Sequence, residues 1–349
     1  NEDSVTIGGY NPVEAVYAYD PVPKELNADD AKYVLGAQAN VWTEYMNNTK
    51  KIEYMIFPRM AALSEVLWSN NKDWSDFEKR LPVQMKRYEV MGLNYSKAYY
   101  EPKISIKESK NSGEIIFSIK TKELKSGFYF GNKTKSTFSL FFDSLDLPIK
   151  ETGIYGLRVI DKLNATKQAE QWGNTYLTAF DYLFKEDYKI TFSKSTGKKI
   201  TLTNPPSNSY PGDGAFTLVN GVINEKGRER AHEVLGFRGT DCEAVIDLGK
   251  QDTINNVTAH VFSQTSSWIW PPSSFTVQTS ADGINFNAIV DVGPPVLNEN
   301  KVQLNFPAQV ARYVKVFIKN KGIIPEDNPG AGNKAWLFVS EVQIQTPTP

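Results

Sequence analysis

Cysteine is all but missing from this 349-residue chain. Cys242 stands alone, so no internal disulfide can form and no Cys-based metal site is available. Histidine is nearly as scarce: only His232 and His260 occur, too few for a His-rich metal centre. His260 sits in an alternating stretch and reads as packing, and His232 lies in a polar run, 228–233, that reads as a solvated face. No apolar run approaches the roughly 20 residues of a membrane span. Neither sign of charge is in excess. Lys and Arg number 39 against 40 Asp and Glu, a net charge of −1, so no basic surplus exists to neutralise phosphates. Nucleic acid is thereby excluded as a main partner. Aromatic residues, in contrast, reach 12%, with 7 Trp and 17 Tyr, which tilts toward sugar contact, although sandwich cores use aromatics too. The length leaves room for two or three domains. Asn-x-Ser/Thr triplets at Asn47, Asn94, Asn132, Asn164 and Asn256 read as chance in an Asn- and Lys-rich, bacterial-looking sequence.

Residues 1 to about 100 read as helix, strand, helix, helix. Asn11-Pro12 offers an N-cap followed by Pro at the first helical position, with Val13, Val16 and Tyr17 on a short helix that Pro21 and Pro23 end. A helix from about Phe57 carries Met60, Leu63 and Leu67 on one face. Ser75-Asp76-Phe77-Glu78 reads as a capping box for a helix that buries Leu81, Met85 and Tyr88 and stops at Gly92. Between these, 36–45 (Gly-Ala-Gln-Ala-Asn-Val-Trp-Thr-Glu-Tyr) reads as a short apolar strand. Two residues apart on a strand, Trp42 and Glu44 point to the same side. An indole beside a carboxylate suits a sugar, whose C–H face stacks and whose hydroxyls donate. From residue types alone, a core aromatic beside a buried ion pair is an equally good reading.

The block at 36–45, followed by the Phe57-Pro58-Arg59-Met60-Ala61-Ala62-Leu63-Ser64-Glu65 helix start, resembles the last strand and helix of the catalytic barrel of glycoside hydrolase family 20, the β-N-acetylhexosaminidases and chitobiases. The resemblance implies that Trp42 and Glu44 bind substrate in the sugar subsite, with Tyr45 packed behind. Glu65 is expected to be a structural partner of Arg59, not an acid catalyst. The family's catalytic Asp-Glu pair lies earlier, in an H-x-G-G-D-E-like motif. This chain has no such motif, so no catalytic residue is expected in it. It starts at Asn1 with no signal peptide, and reads as the C-terminal part of an exported bacterial enzyme, extracytoplasmic whether periplasmic, cell-surface or secreted. The resemblance implies retaining, substrate-assisted hydrolysis in the intact parent, without a catalytic cofactor. Its partners would be a glycan with a terminal N-acetylhexosamine and the upstream part of the chain's own barrel.

Past residue 100 the helical periodicity fades. Short alternating runs at 104–106, 114–119, 137–142 and 156–160, separated by polar turns, read as an antiparallel sandwich. Its place after the barrel resembles the immunoglobulin-like module of bacterial hexosaminidases. Asn204-Pro205-Pro206-Ser207-Asn208-Ser209 reads as a linker. Beyond it strands are expected at 243–248, 257–262, 274–279, 311–318 and 337–344, with a tight turn at Asp282-Gly283. With Leu218-Val219-Asn220-Gly221, Ala244-Val245-Ile246-Asp247-Leu248-Gly249 and Arg312-Tyr313-Val314-Lys315-Val316, this region resembles a discoidin-like jelly roll, also used for carbohydrate binding. The expected fold is therefore multidomain: a (β/α)8-barrel remnant (1–100), an immunoglobulin-like sandwich (101–203) and a discoidin-like jelly roll (204–349).

In the last region Trp270 reads as an exposed sugar platform and Trp268 as a plug of the barrel end. Arg238 and Asp241 are either hydroxyl partners or a loop-fixing pair. No charge cluster is visible there, so binding is expected to be by stacking and insensitive to salt. The resemblance further implies a structural Ca²⁺, for which Glu341 matches the late ligand and Asn220 stands where an Asp is common. Two rival readings are a non-catalytic glycan-binding or adhesion protein and, for the two sandwiches, pure scaffold.

Overall fold

The computed structural model describes residues 11–43, 46–111, 113–120, 126–141, 144–161, 184–292 and 300–345. The chain divides into two compact units, Asn1–Glu101 and Pro102–Pro349. No helix among the described residues is long and apolar enough to cross a membrane.

The first unit is helical: α1 (Val13–Tyr17), α2 (Ala28–Ala31), α3 (Thr49–Ile56), α4 (Arg59–Trp68) and α5 (Trp74–Val90). Val13 and Tyr17 of α1, Ala62 and Val66 of α4, and Phe77, Leu81, Met85 and Tyr88 of α5 form its core. The spacing of those α5 residues is the 3.6-residue repeat of one helical face. The cap of α5 lies earlier than the expected capping box: the Asp73 carboxylate accepts from the backbone N–H groups of Ser75 and Asp76, so the helix begins at Trp74. Glu65 takes a different partner from the expected Arg59. It accepts two hydrogen bonds from Arg80 Nη2, at 2.8 and 2.9 Å, and one from Tyr17 at 3.0 Å. Arg59 donates instead to the Asn11 and Met55 carbonyls, each at 2.7 Å. The strand expected at 36–45 is not formed at its described residues, 36–43, and the first unit has no strand among its described residues. A strand needs a neighbouring ladder for its N–H and C=O groups, and apolar sequence alone does not supply one.

The second unit opens with a three-stranded sheet, β1 (Lys103–Glu108), β2 (Ile115–Lys120) and β5 (Leu145–Ile149), in the order β1-β2-β5. A four-stranded sheet, in the order β4-β3-β6-β7, comprises β3 (Ser126–Asn132), β4 (Thr137–Phe141), β6 (Gly153–Asp161) and β7 (Phe184–Ile190). Alternate residues Ile115, Phe117 and Ile119 of β2 meet Phe128, Phe130, Leu157, Val159 and Tyr188 from the second sheet in one core.

The largest sheet runs β12-β11-β13-β10-β14-β9, with β8 also paired to β10. Its strands are β8 (Lys199–Leu202), β9 (Leu235–Arg238), β10 (Cys242–Phe262), β11 (Ser274–Ser280), β12 (Asn287–Val292), β13 (Lys301–Lys319) and β14 (Trp336–Gln345). The runs expected at 243–248 and 257–262 are two halves of the single strand β10, whose pairing with β13 shifts register between Asp247 and Asp252. Inward residues such as Ala244, Ile246, Val257, Ala259, Val314, Val316, Val342 and Ile344 fill its core.

Within this unit the smaller sheets and the large sheet interlock. Thr191 donates to the Gly221 carbonyl at 2.8 Å, and Ser195 Oγ to the Val342 carbonyl at 2.6 Å. Phe216 packs against both cores. The polar run 228–233, expected as a solvated face, contributes two buried ionisable side chains here, Arg230 and Glu233. Arg230 reaches Glu186 of β7 at 2.5 Å and Glu233 at 2.9 Å, with its guanidinium 4.7 Å from the Tyr188 ring centre. Polar sequence looks solvated until the fold brings charged partners from another sheet against it.

Candidate functional site

In the first unit, Trp42 lies in the irregular stretch after α2 and is 65% exposed. Its indole face is open to solvent in this chain. Glu44 and Tyr45 lie outside the described residues. Beside α4 and α5 a cavity of about 750 Å³ is lined by apolar side chains, including Met60, Trp68, Val83 and Met91, and by polar ones, including Glu65, Arg80 and Arg87. Trp68 is 90% exposed.

In the second unit the residues singled out from sequence converge on one end of the large sheet, but not as one cluster. Trp270 donates its backbone N–H to the Trp336 carbonyl at 2.9 Å, and Trp336 donates to the Trp268 carbonyl at 2.8 Å. The 268–270 stretch thus runs beside the start of β14. Ile269, bridged to Trp336, is buried with Phe338 and Val234 and shares the Trp336 face. Trp270, next along, turns to the other face, where Lys321 Nζ lies 5.8 Å from its ring centre. Its indole Nε1 is buried with no partner among the described residues. Trp268 has a left-handed backbone, φ 65°, and its indole lies flush on Gly330, where a Cβ would come within 2.3 Å of the ring. Both indoles are half-buried.

Arg238 is exposed and faces Trp336, its cross-strand partner in the β9–β14 ladder, with the guanidinium 5.8 Å from the ring centre. Tyr210 meets the same indole edge-on at 5.2 Å. Asp241 does not pair with Arg238. Its Oδ1 accepts from the Asn320 backbone N–H at 2.8 Å and so fixes the turn after β13. Trp336, Tyr210 and Lys321 were not singled out from sequence, because nothing local marks them: their signal is the pairing of distant segments.

Glu341, on β14, is 0% exposed, and Asn220 is 4% exposed. Glu341 Oε2 accepts from the Gly221 backbone N–H at 3.0 Å, whereas Oε1 is buried with no partner among the described residues. Burial pushes its carboxyl well above the ordinary carboxylate range, against the pull of the Gly221 and Asn220 N–H groups. Asn220 Oδ1 is already committed to the Val222 N–H at 2.8 Å. Of the two, Glu341 has an oxygen to offer a hard cation. No group of three or more His, Cys, Asp or Glu able to share a metal occurs among the described residues. His260 is half-buried, its Nε2 3.0 Å from Gln343 Oε1, and burial lowers its pKa.

Comparison with known proteins gives two family matches: residues 1–71 to the catalytic domain of glycosyl hydrolase family 20, and residues 239–316 to a NedA-like, galactose-binding domain. A beta-hexosaminidase of Porphyromonas gingivalis is 47% identical over 95 residues, 27% of this chain and 12% of that protein. A beta-N-acetylhexosaminidase of Cellulomonas fimi is 31% identical over 86 residues, 24% of this chain and 17% of that protein. The chain thus spans a small fraction of the length of the curated relatives it matches. Among solved structures, CpGH89CBM32-5 from Clostridium perfringens, in complex with GalNAc-β-1,3-galactose, matches 44% of this chain and 100% of its own at 18% identity and TM-score 0.32. Likeness at that level says nothing of what this domain binds. The chain therefore carries a stretch of a family 20 glycosyl hydrolase catalytic domain at residues 1–71 and a discoidin-like, galactose-binding type of domain at residues 239–316.

Proposed function

We propose that this chain is part of an extracytoplasmic β-N-acetylhexosaminidase, in which 1–100 completes a (β/α)8 catalytic barrel, 101–203 is an immunoglobulin-like spacer and 204–349 is a glycan-binding module. The observation that carries the reading is the family 20 match over 1–71, which contains the Trp-Thr-Glu stretch with its exposed Trp42. The exposed apolar side chains of α4 and α5, Trp68 and Val83 among them, support a partner: packing against further barrel elements would cover them. In that enzyme Trp42 would stack on the terminal N-acetylhexosamine and Glu44 would accept from its ring hydroxyls. Hydrolysis would proceed with the substrate's acetamido oxygen as nucleophile, and an Asp-Glu pair absent from this sequence would orient the acetamide and protonate the leaving oxygen.

The test is a chromogenic N-acetyl-β-glucosaminide assay on this chain alone and on the chain joined to its upstream catalytic segment. The expected outcome is turnover only by the joined protein. Turnover by pure chain alone, or a joined protein that cleaves other glycosides instead, overturns the reading.

A structural Ca²⁺ at Glu341 Oε1, with Asn220 alongside, belongs to the same reading. A divalent cation there would neutralise a carboxylate whose charge burial disfavours. If so, a chelator lowers the melting temperature of the second unit and Ca²⁺ restores it. An unchanged melting curve removes the cation from the account.

A further inference from the structure

We infer that the contact between the segment Gly227–Glu233 and β7 is a pH-sensitive fastening of the large-sheet domain to the four-stranded sheet, closed in acid, when one of its two carboxylates is protonated, and loosened as the pH rises to neutrality.

One cation serves two carboxylates there. Arg230 reaches Glu186 Oε1 of β7 at 2.5 Å and Glu233 Oε1 at 2.9 Å, with its guanidinium over the Tyr188 ring. With both carboxylates ionised, a surplus negative charge would stand in a buried place. The two are not equally provided for. Glu186 Oε2 accepts from the Tyr188 hydroxyl at 2.9 Å, and 13% of its side chain is exposed. The Glu233 side chain is 5% exposed, and neither of its oxygens makes a hydrogen bond among the described residues. The proton therefore goes to Glu233. Burial raises its carboxyl to about 7 against the pull of Arg230, His232 and Lys226, and Glu186 pushes in the same direction as burial. The other charged groups of β7 are engaged elsewhere. Asp187 gives Arg230 only its carbonyl, at 3.5 Å, and its carboxylate is held by Arg158 and Lys133, each at 2.6 Å. Lys189 pairs with Glu225 at 2.9 Å, both exposed.

When the segment lifts off β7, Glu233 returns to water and to its ordinary 4.5, so opening at neutral pH releases a proton. Between about 4.5 and about 7 the closed form holds that proton more tightly than the open one. Closure therefore weakens as pH rises through that window and levels off above it. The neighbouring crossings do not follow it. The bonds from Thr191 N–H to the Gly221 carbonyl and from Ser195 Oγ to the Val342 carbonyl carry no charge. The Lys194–Asp252 pair, at 2.7 Å, persists through the window, because the hydrogen bond from Lys194 holds the Asp252 carboxyl below its ordinary 3.8. These crossings keep the sheets joined, so the proton controls a local event at the seam.

Hydrogen exchange on the full chain from pH ~5 to ~8, corrected for the intrinsic pH dependence of amide exchange, reads the opening of 184–190 and 227–233, with β11 and β13 as internal reference. The expected result is opening at the seam that rises by up to about tenfold per pH unit, the slope of one released proton, and flattens above about pH 7. β11 and β13 stay level. Glu233→Gln removes the slope, whereas loss of a merely packing contact would change opening equally at every pH. Glu186→Gln, which relieves the repulsion on Glu233, moves the plateau to lower pH. If Glu233→Gln melts early, the wild-type slope and its shift in Glu186→Gln carry the test. Level opening in the wild type, or a slope shared by β11 and β13, overturns the inference. So does a slope that survives Glu233→Gln, as it would if it were set by Asp213, whose carboxylate accepts from the Ile106 N–H at 2.8 Å in the same unit.

Discussion

Glu233 is held where its charge is disfavoured. Burial raises its carboxyl from the ordinary 4.5 to about 7, outweighing the attraction of Arg230, His232 and Lys226, and Glu186 pushes in the same direction. The folded state therefore holds this proton more tightly than the unfolded chain. Its contribution to stability is full below about 4.5 and is lost as pH rises through about 7. Glu233→Gln, which cannot ionise, is expected to match the wild type near pH 4.5 and to exceed it above pH 7. Parallel wild-type and mutant melting curves across that range would show that Glu233 ionises freely in the fold. A second residue-scale outcome concerns Gly330, whose φ of 83° and contact with the Trp268 indole both require the absence of a side chain. Gly330→Ala is expected to destabilise the second unit by roughly 1–3 kcal/mol. A melting temperature unmoved by the substitution would mean that Trp268 can swing away freely.

The elements most legible in the sequence were those whose pattern is complete within themselves. α5 shows its buried face at Phe77, Leu81, Met85 and Tyr88, and β11 alternates through Phe275, Val277 and Thr279. The strand read at 36–45 is not formed at 36–43 in this chain, where no described segment supplies a ladder partner. β7 went unread for the opposite reason: Phe-Lys-Glu-Asp-Tyr-Lys-Ile looks like a loop, yet Glu186 and Tyr188 are polar because they meet Arg230. β8 was read as part of the sandwich range, whereas Lys199–Leu202 pairs with Ala244–Asp247 of β10. A fragment cut at 204 loses that strand and bares the edge of β10. It is expected to melt lower, or to aggregate more readily, than residues 102–349. Identical melting curves for the two fragments would show that β8 adds nothing to the large sheet.

At the scale of the whole chain, a contiguous stretch was legible and contacts between distant segments were not. The Trp-Thr-Glu stretch is contiguous, so residue type and spacing alone raised a sugar-facing reading, and the family 20 match covers it. The contacts of Arg238 with Trp336 and of Lys321 with Trp270 join distant segments, so they are invisible until β9, β14 and the intervening turns are paired. Asp241 read equally as a hydroxyl partner or as half of a loop-fixing pair with Arg238, and in the fold it accepts from the Asn320 backbone N–H. The central claim is that 1–100 supplies the substrate subsite of a β-N-acetylhexosaminidase. The measurement that bears on it most directly is the steady-state hydrolysis of a chromogenic N-acetyl-β-glucosaminide by the chain joined to its upstream catalytic segment, with and without Glu44→Gln. The substitution keeps the shape of the side chain and exchanges a charge-assisted acceptor for a neutral one, so the account predicts that affinity and rate fall together, with a loss in kcat/KM equivalent to about 1–3 kcal/mol. Wild-type kinetics in Glu44→Gln would place Glu44 outside the subsite and contradict the account.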